Sequence, residues 1–171
     1  KTLPGVEAAS AITYLPFTGP GAATSYFVEG GPEAVGGEAE VTDVRMVAPE
    51  LFETMRIPLK HGRLFDANDH RADAPLRFVV SETMARDAYP NDNPLGRRLR
   101  VRMGEGREWG EIIGVVGDIR TASLAGQVRP MVYYPMAKLP FGWGTLVIRT
   151  QGDPNAPVQP MLAAIRERHP D

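Results

Sequence analysis

The groups able to do chemistry are few, and their spacing speaks against a reactive centre. The three histidines, His61, His70 and His169, never form a spaced pair of the H-x-x-x-H kind, with which one helix face grips a metal or holds a base. Each reads as a solvated or singly bonded side chain. Asp66-Ala-Asn-Asp-His-Arg-Ala-Asp73 places oxygen donors at the spacing that opens a calcium loop. Such a loop needs glycine at its turn position and a bidentate glutamate at its end; here those places hold Arg71 and Arg77. A capped acidic turn is the expectation. Gly114-Val-Val-Gly-Asp118 looks like a strand entering a nucleotide loop. It matches neither G-x-G-x-x-G nor a Walker sequence, and no helical pattern follows it. Its glycines are expected to allow close packing or a bulge, with Asp118 starting a turn. Ser81 lies at a strand-to-helix junction, the setting of a nucleophile elbow. Val80 and Glu82 replace the glycines that such a strained turn requires, so Ser81 is expected to cap the helix.

Two further groups suit contact better than catalysis. Arg98, Arg100 and Arg102 alternate with Leu99, Val101 and Met103. The row could meet an anionic partner, or be the wet face of a strand whose charges discourage edge pairing. Phe141-Gly-Trp-Gly144 puts two aromatic rings in a turn, either as a contact surface or folded back on the core. These patterns assign no catalytic, cofactor-binding or metal-ligating residue.

The elements that carry these groups follow from periodicity. Val6 to Tyr14 is an apolar, β-leaning run, and Pro16 to Thr24 is rich in Gly, Pro and Thr, so a loop is expected there. Tyr26–Val28 reads as a short strand, and the stretch through Gly30, Gly31, Gly36 and Gly37 as irregular chain. In residues 40–47, Thr42, Val44 and Met46 share one face while Asp43 and Arg45 point the other way. Pro49 suits the first turn of a short helix with Leu51, Phe52 and Met55 on its apolar side. Arg77–Val80 reads as a strand. The helix after Ser81 has a possible Glu82/Arg86 ion pair and ends at Pro90. Gly104-Glu-Gly106 turns the arginine-rich strand back toward Trp109 and the apolar run Ile112–Gly117. Residues 131–134 and 145–150 are further strands. A closing helix starts near Val158, with Val158, Met161, Leu162 and Ile165 as its apolar stripe and Pro170 as its stop. Seven or eight strands with three helices, not strictly alternating, give an α+β fold with mixed or antiparallel sheets.

Composition narrows the class. The 171 residues are 43% hydrophobic and 23% charged, enough for one domain with a core or two small lobes. A net charge of −2 lacks the basic excess of a nucleic-acid binder. With no cysteine there is no disulfide, thiolate metal site or cysteine nucleophile. No apolar run approaches the roughly 18 to 20 residues that span a bilayer. The chain reads as an excised domain.

An ordered series of short segments resembles the MacB-like periplasmic core domain of MacB/FtsX-type ABC transporter permeases. The segments are Leu3-Pro-Gly-Val-Glu-Ala-Ala-Ser10, Val44 to Ile57 with its Ala-Pro-Glu-Leu-Phe, and Pro58 to Phe65 with its Gly-Arg-Leu-Phe. Val79-Val-Ser-Glu-Thr-Met-Ala-Arg86, Pro94 to Leu99, Ile113 to Arg120 and Val132-Tyr-Tyr-Pro135 follow in order. Ser81 stands where the family more often has Asn, and residues 16–37 have no clear counterpart. The resemblance implies a two-lobed domain: a porter-like lobe from 1–47 and 111–171, and an inserted middle lobe, 48–110. It implies a non-catalytic domain on the extracytoplasmic (periplasmic) face of the inner membrane. Its partners would be the membrane helices and cytoplasmic ATPase of its own permease, a twin domain and a periplasmic adaptor, in efflux or force transmission. Two other readings remain open: a hydrolase or transferase whose site assembles only in three dimensions, and a stand-alone ligand-binding module.

Overall fold

The computed structural model describes residues 3–19, 21–31, 40–103, 108–121, 123, 125–139 and 142–168. His169, Phe141, Gly36, Gly37, Pro170 and the Gly104–Gly106 turn lie outside them. Among the described residues the strands are β1 (Val6–Ile12), β2 (Ala22–Val28), β3 (Val41–Val47), β4 (Leu59–Gly62), β5 (Arg77–Ser81), β6 (Arg98–Val101), β7 (Gly110–Val116), β8 (Met131–Pro135) and β9 (Thr145–Thr150). The helices are α1 (Leu51–Met55), α2 (Glu82–Ala88) and α3 (Val158–Arg168), with a 3-10 turn at Met136–Lys138. The fold is α+β, as expected, with three α-helices and one mixed sheet. Parallel pairs β3–β8 and β5–β7 sit among antiparallel ones.

The sheet closes on itself. β2 pairs with β3 through Ala22–Ser25 and with β6 through Tyr26–Val28. The pairing therefore runs β2-β6-β7-β5-β8-β3 and back to β2, a ring of six strands. β1 and β9 extend the sheet outward from β3, and β4 lies along β7. One hydrophobic cluster takes side chains from every strand of the ring: Tyr26, Val44, Phe78, Leu99, Ile112 and Val132. It is the ring's interior. The second cluster lies on the outer face, where α1 and β1 cover Val79, Val116, Met131 and Tyr133. The period of two explains the division. Val80 faces Val132 inside the ring, while Val79 faces Tyr133 outside it. β7 carries an extra residue opposite β5 between Ile112 and Gly114, so Ile112 and Val115, three apart, both face inward.

α2 plugs one end of the ring with Met84 and Ala85. Ser81 caps this helix as expected, its Oγ accepting from Met84 N at 3.2 Å. The same oxygen accepts from Met131 N at 3.1 Å, tying the helix start to β8.

Several expectations change. β2 begins at Ala22, so part of the Gly/Pro-rich segment read as a loop is strand. β4 was not expected; its four residues are all exposed and carry no alternation. Pro49 precedes α1 instead of entering its first turn, because Glu50 takes a left-handed φ of 65°. Glu82 meets Lys60 at 3.5 Å, while Arg86 donates to Thr83 Oγ1. The apolar stripe of α3 joins neither cluster, and Ile165 is 44% exposed.

Candidate functional site

The acidic turn is an arginine clamp. Gly62 has φ 74° and sits directly across from Gly114; a Cβ on Gly62 would meet Ile113 O at 2.3 Å. This close crossing of β4 over β7 places Arg63 beside the turn. Asp69, fully buried, accepts from Arg63 Nη1 at 2.6 Å, Arg63 Nη2 at 3.2 Å, Arg77 Nη1 at 2.8 Å and Asp66 N at 2.9 Å. Asp66 Oδ1 in turn accepts from Asn68 N and Asp69 N. Burial pushes the Asp69 carboxyl up, but the bonds from Arg63, Asp66 N and Arg77 together hold it well below the usual carboxylate range. Arg77, which stands where a calcium loop has glutamate, supplies the second cation. The capped acidic turn expected from the sequence is thus present, with its carboxylate oxygens occupied by donors.

The histidines lie apart in role. His61 is exposed on β4, and His70 is half-buried edge-on to Phe65, at 5.7 Å between ring centroids. Burial pushes the His70 imidazole below its ordinary value, against the pull of Asp69 and Asp66. Among the described residues no group of three or more His, Cys, Asp or Glu is placed to hold a metal ion. Gly114–Asp118 belongs to β7 and its end; the Asp118 carboxylate accepts from Thr83 N at 2.9 Å and Thr83 Oγ1 at 2.8 Å, at the start of α2. Asp118 therefore holds a helix start, a role its sequence neighbours do not signal.

The second charged group was missed by sequence reasoning. Arg45 points away from Val44 and Met46, as alternation requires, yet it is only 1% exposed. Its guanidinium lies 3.9 Å from Asp43, donates to Val44 O at 2.9 Å and stands 5.4 Å from the Tyr14 ring centroid. Burial lowers its pKa, and Asp43 opposes that shift. Arg129 reaches Asp43 from the surface at 3.3 Å. The cavity for Arg45 depends on Gly21, where a Cβ would come within 2.4 Å of the guanidinium. Tyr14 carries Trp143 edge-on at 4.6 Å. Trp143 remains 48% exposed next to this buried pair, and Phe17 and Leu146 are exposed apolar side chains as well.

The arginine row does not form one anion site. Arg98 pairs with Glu29 at 3.1 Å, and Arg100 lies over the rings of Phe27 and Trp109 at 4.8 and 5.0 Å. Only Arg98 and Arg100 lie in β6; Arg102 follows it, exposed. β6 pairs on both sides, with β2 and β7, so its arginines do not guard an edge. The wet-face reading holds for Arg98, and the aromatic contacts of Arg100 account for its half-buried state.

A third feature is the ring's other end, opposite α2. It opens into a cleft of about 540 Å³. Leu76, Val101, Tyr134 and Leu139 line it, with Glu108 and Lys138 among its charged residues. Lys138 Nζ donates to Ala72 O at 3.0 Å and to Ala74 O, strapping the 3-10 turn to the segment before β5. Tyr134 is 3% exposed, and its ring stands edge-on to Phe78 at 4.7 Å.

The fold is that of extracytoplasmic domains of ABC transporter proteins. It is similar to the periplasmic region of MacB from Actinobacillus actinomycetemcomitans, with a TM-score of 0.64 at 17% identity over 98% of this chain and 69% of that one. A permease-protein domain from Porphyromonas gingivalis aligns with a TM-score of 0.63 at 20% identity, over 98% of this chain and 72% of that one. The extracellular domain of the ABC-type transporter YknZ from Gram-positive bacteria gives 0.63 at 16% identity, over 97% and 78%. Among curated proteins none matches the chain in sequence. The sequence profile of the MacB-like periplasmic core domain matches residues 1–168, and the chain belongs to that family. It is a periplasmic domain of a MacB/FtsX-like ABC transporter permease. No helix among the described residues is long and apolar enough to cross a membrane.

Proposed function

We propose that this domain works mechanically, without a reactive centre: it is moved by its permease and touches other proteins or the transported substrate as it moves. The observation that carries this reading is the closed strand ring, locked at the Asp69 clamp and the Arg45–Asp43 pair, which joins segments far apart in sequence into one stiff body. Such a body transmits displacement. The chemically capable groups are engaged in holding it together: Ser81 caps a helix, Asp118 holds Thr83 and Asp69 is clamped. ATP hydrolysis on the cytoplasmic side would supply the displacement through the membrane helices of the same permease. The contacts would be a twin domain and a periplasmic adaptor, in efflux.

The two-lobe division belongs to the same proposal. Residues 48–110 would form the middle lobe, and 1–47 with 111–171 the porter-like lobe. The two would move together, since β5 of the middle segment pairs with both β7 and β8.

The test uses the absence of cysteine in this chain. Single cysteines replace Trp143 and Leu146 in the parent permease, otherwise stripped of cysteine and reconstituted in membranes. Cross-linking between domains, or to a co-purified adaptor, should differ between ATP-bound and nucleotide-free states. Identical cross-linking in both states, with ATP turnover intact, would count against a moving domain.

A further inference from the structure

The unmatched polar atoms of the interior collect in one layer. Among the described residues, the buried side-chain atoms without a hydrogen-bond partner are Arg45 Nε, Thr54 Oγ1, Tyr133 OH, Arg149 Nε and His70 Nε2. Buried polar atoms ordinarily find partners. The first four lie between α1 and the outer face of the sheet or on that face. Thr54 belongs to α1, and Arg149 of β9 donates from Nη2 to Thr54 O. Phe52 of α1 stands edge-on to Tyr133, with 5.0 Å between ring centroids. Arg45 is the cross-strand neighbour of Tyr133 in the β3–β8 pair.

Opposing forces act on the segment over this layer. α1 has only five residues, far short of the roughly 12 to 15 at which a helix is even marginal by itself. Non-glycine residues in left-handed turns flank it on both sides, Glu50 with φ 65° and Arg56 with φ 55°. The closed position keeps Thr54 Oγ1 and Tyr133 OH dry and unmatched, and opening gives both to water. Against this stand the burial of Leu51 and Phe52, 0% and 3% exposed, and the tie from Arg149 to Thr54 O. Pro49 and Pro58 bracket the segment. Beyond them β3 is held by its pairing with β8, and β4 by its pairing with β7. Residues 50–57 can therefore leave the sheet without breaking a strand pair of the ring.

We propose that residues 50–57 form a strap that opens from the outer face of the sheet while the ring stays shut. Opening uncovers Tyr133 and parts Arg149 from Thr54 O. Closing rebuilds the left-handed turns at Glu50 and Arg56. The strap is a property of this chain alone, so its failure would leave the mechanical reading above standing.

The test is native-state hydrogen exchange of the 171-residue chain, under conditions where reclosing outpaces exchange. The amides of Thr54, Arg56 and Ile57, bonded to Glu50 O, Glu53 O and Phe52 O, should exchange at least about a hundredfold faster than those of β5 and β8. Low urea should leave their rate unchanged and speed the strand amides, since local opening exposes little surface. Arg56→Gly relieves a left-handed turn and should slow strap exchange about fivefold. Thr54→Val and Tyr133→Phe remove the unmatched hydroxyls at nearly constant volume, and each should slow it several-fold. Thermal unfolding establishes that the three variants fold. Strap amides as slow as the strand amides, a strap rate that climbs with urea as steeply as theirs, or unchanged or faster strap exchange in the folded variants would each overturn the proposal.

Discussion

The two ends of the strand ring are built from the same strands and finished in opposite ways. At the α2 end the polar groups are matched: Ser81 serves two backbone N–H groups, Asp118 takes both donors of Thr83, and Tyr89 donates to Arg98 O. Met84 seals the interior and is fully buried. At the other end the interior borders an open cleft at Tyr134, and Glu108 has no ionic partner among the described residues. One end is sealed and the other open, so substitutions at the two ends should have different consequences.

The largest expected effect is at the plug. Met84→Ala should destabilise the domain by about 3 kcal/mol, the usual cost of a cavity at a fully buried site. Leu139→Ala at the open end, where the side chain is only half-buried, should cost less than about 1 kcal/mol. Urea unfolding of both variants reads the difference, and equal costs would erase the distinction between the ends.

Next come the polar ties. Asp69→Asn should cost about 2 to 3 kcal/mol, because it leaves Arg63 and Arg77 without their shared carboxylate, although both can partly resolvate. Ser81→Ala should cost about 1 to 2 kcal/mol through loss of the cap and an unmatched Met131 N–H. Glu108→Gln should change stability by less than about 0.5 kcal/mol.

A slower probe of the same contrast is pH. The folded pKa of His70 lies below its ordinary 6.5, so the fold favours neutral imidazole. The stability this gives is present above pH 6.5 and declines as pH falls below it. Asp69 lies below the ordinary 3.8, and its contribution is complete above that value and lost as pH falls through the folded pKa. Urea midpoints should fall first as pH drops below 6.5 and again only below 3.8, and His70→Gln should remove the upper stage. A flat profile down to pH 4 in the native chain would contradict the His70 assignment.

The local half of the fold was legible in the sequence. Ser81 between Val80 and Glu82 announced the cap, and Leu99 and Val101 announced the buried side of β6, because both signals lie within a few residues. Ring closure was not legible. It depends on β2 changing partners at Tyr26, which only long-range pairing decides. Arg45 read as the outward face of an alternating strand. Its burial depends on Gly21, Tyr14 and Asp43 together, and no local pattern joins them. Arg71 and Arg77 stand where a calcium loop has Gly and Glu, and Arg77 joins the clamp, but the clamp also needed Arg63, carried in by the Gly62–Gly114 crossing. The stripe on α3 was read correctly as a pattern, yet neither core cluster receives it.

The central claim, a stiff body displaced as a unit, is tested most directly by spin-label distances in the full permease. Labels at Leu59 and Leu146 report within one domain, and Leu146 in two copies reports between domains. The within-domain distance should stay fixed between nucleotide-free and ATP-bound states while the between-domain distance changes. A within-domain change with a constant between-domain distance, or no change in either, would contradict it.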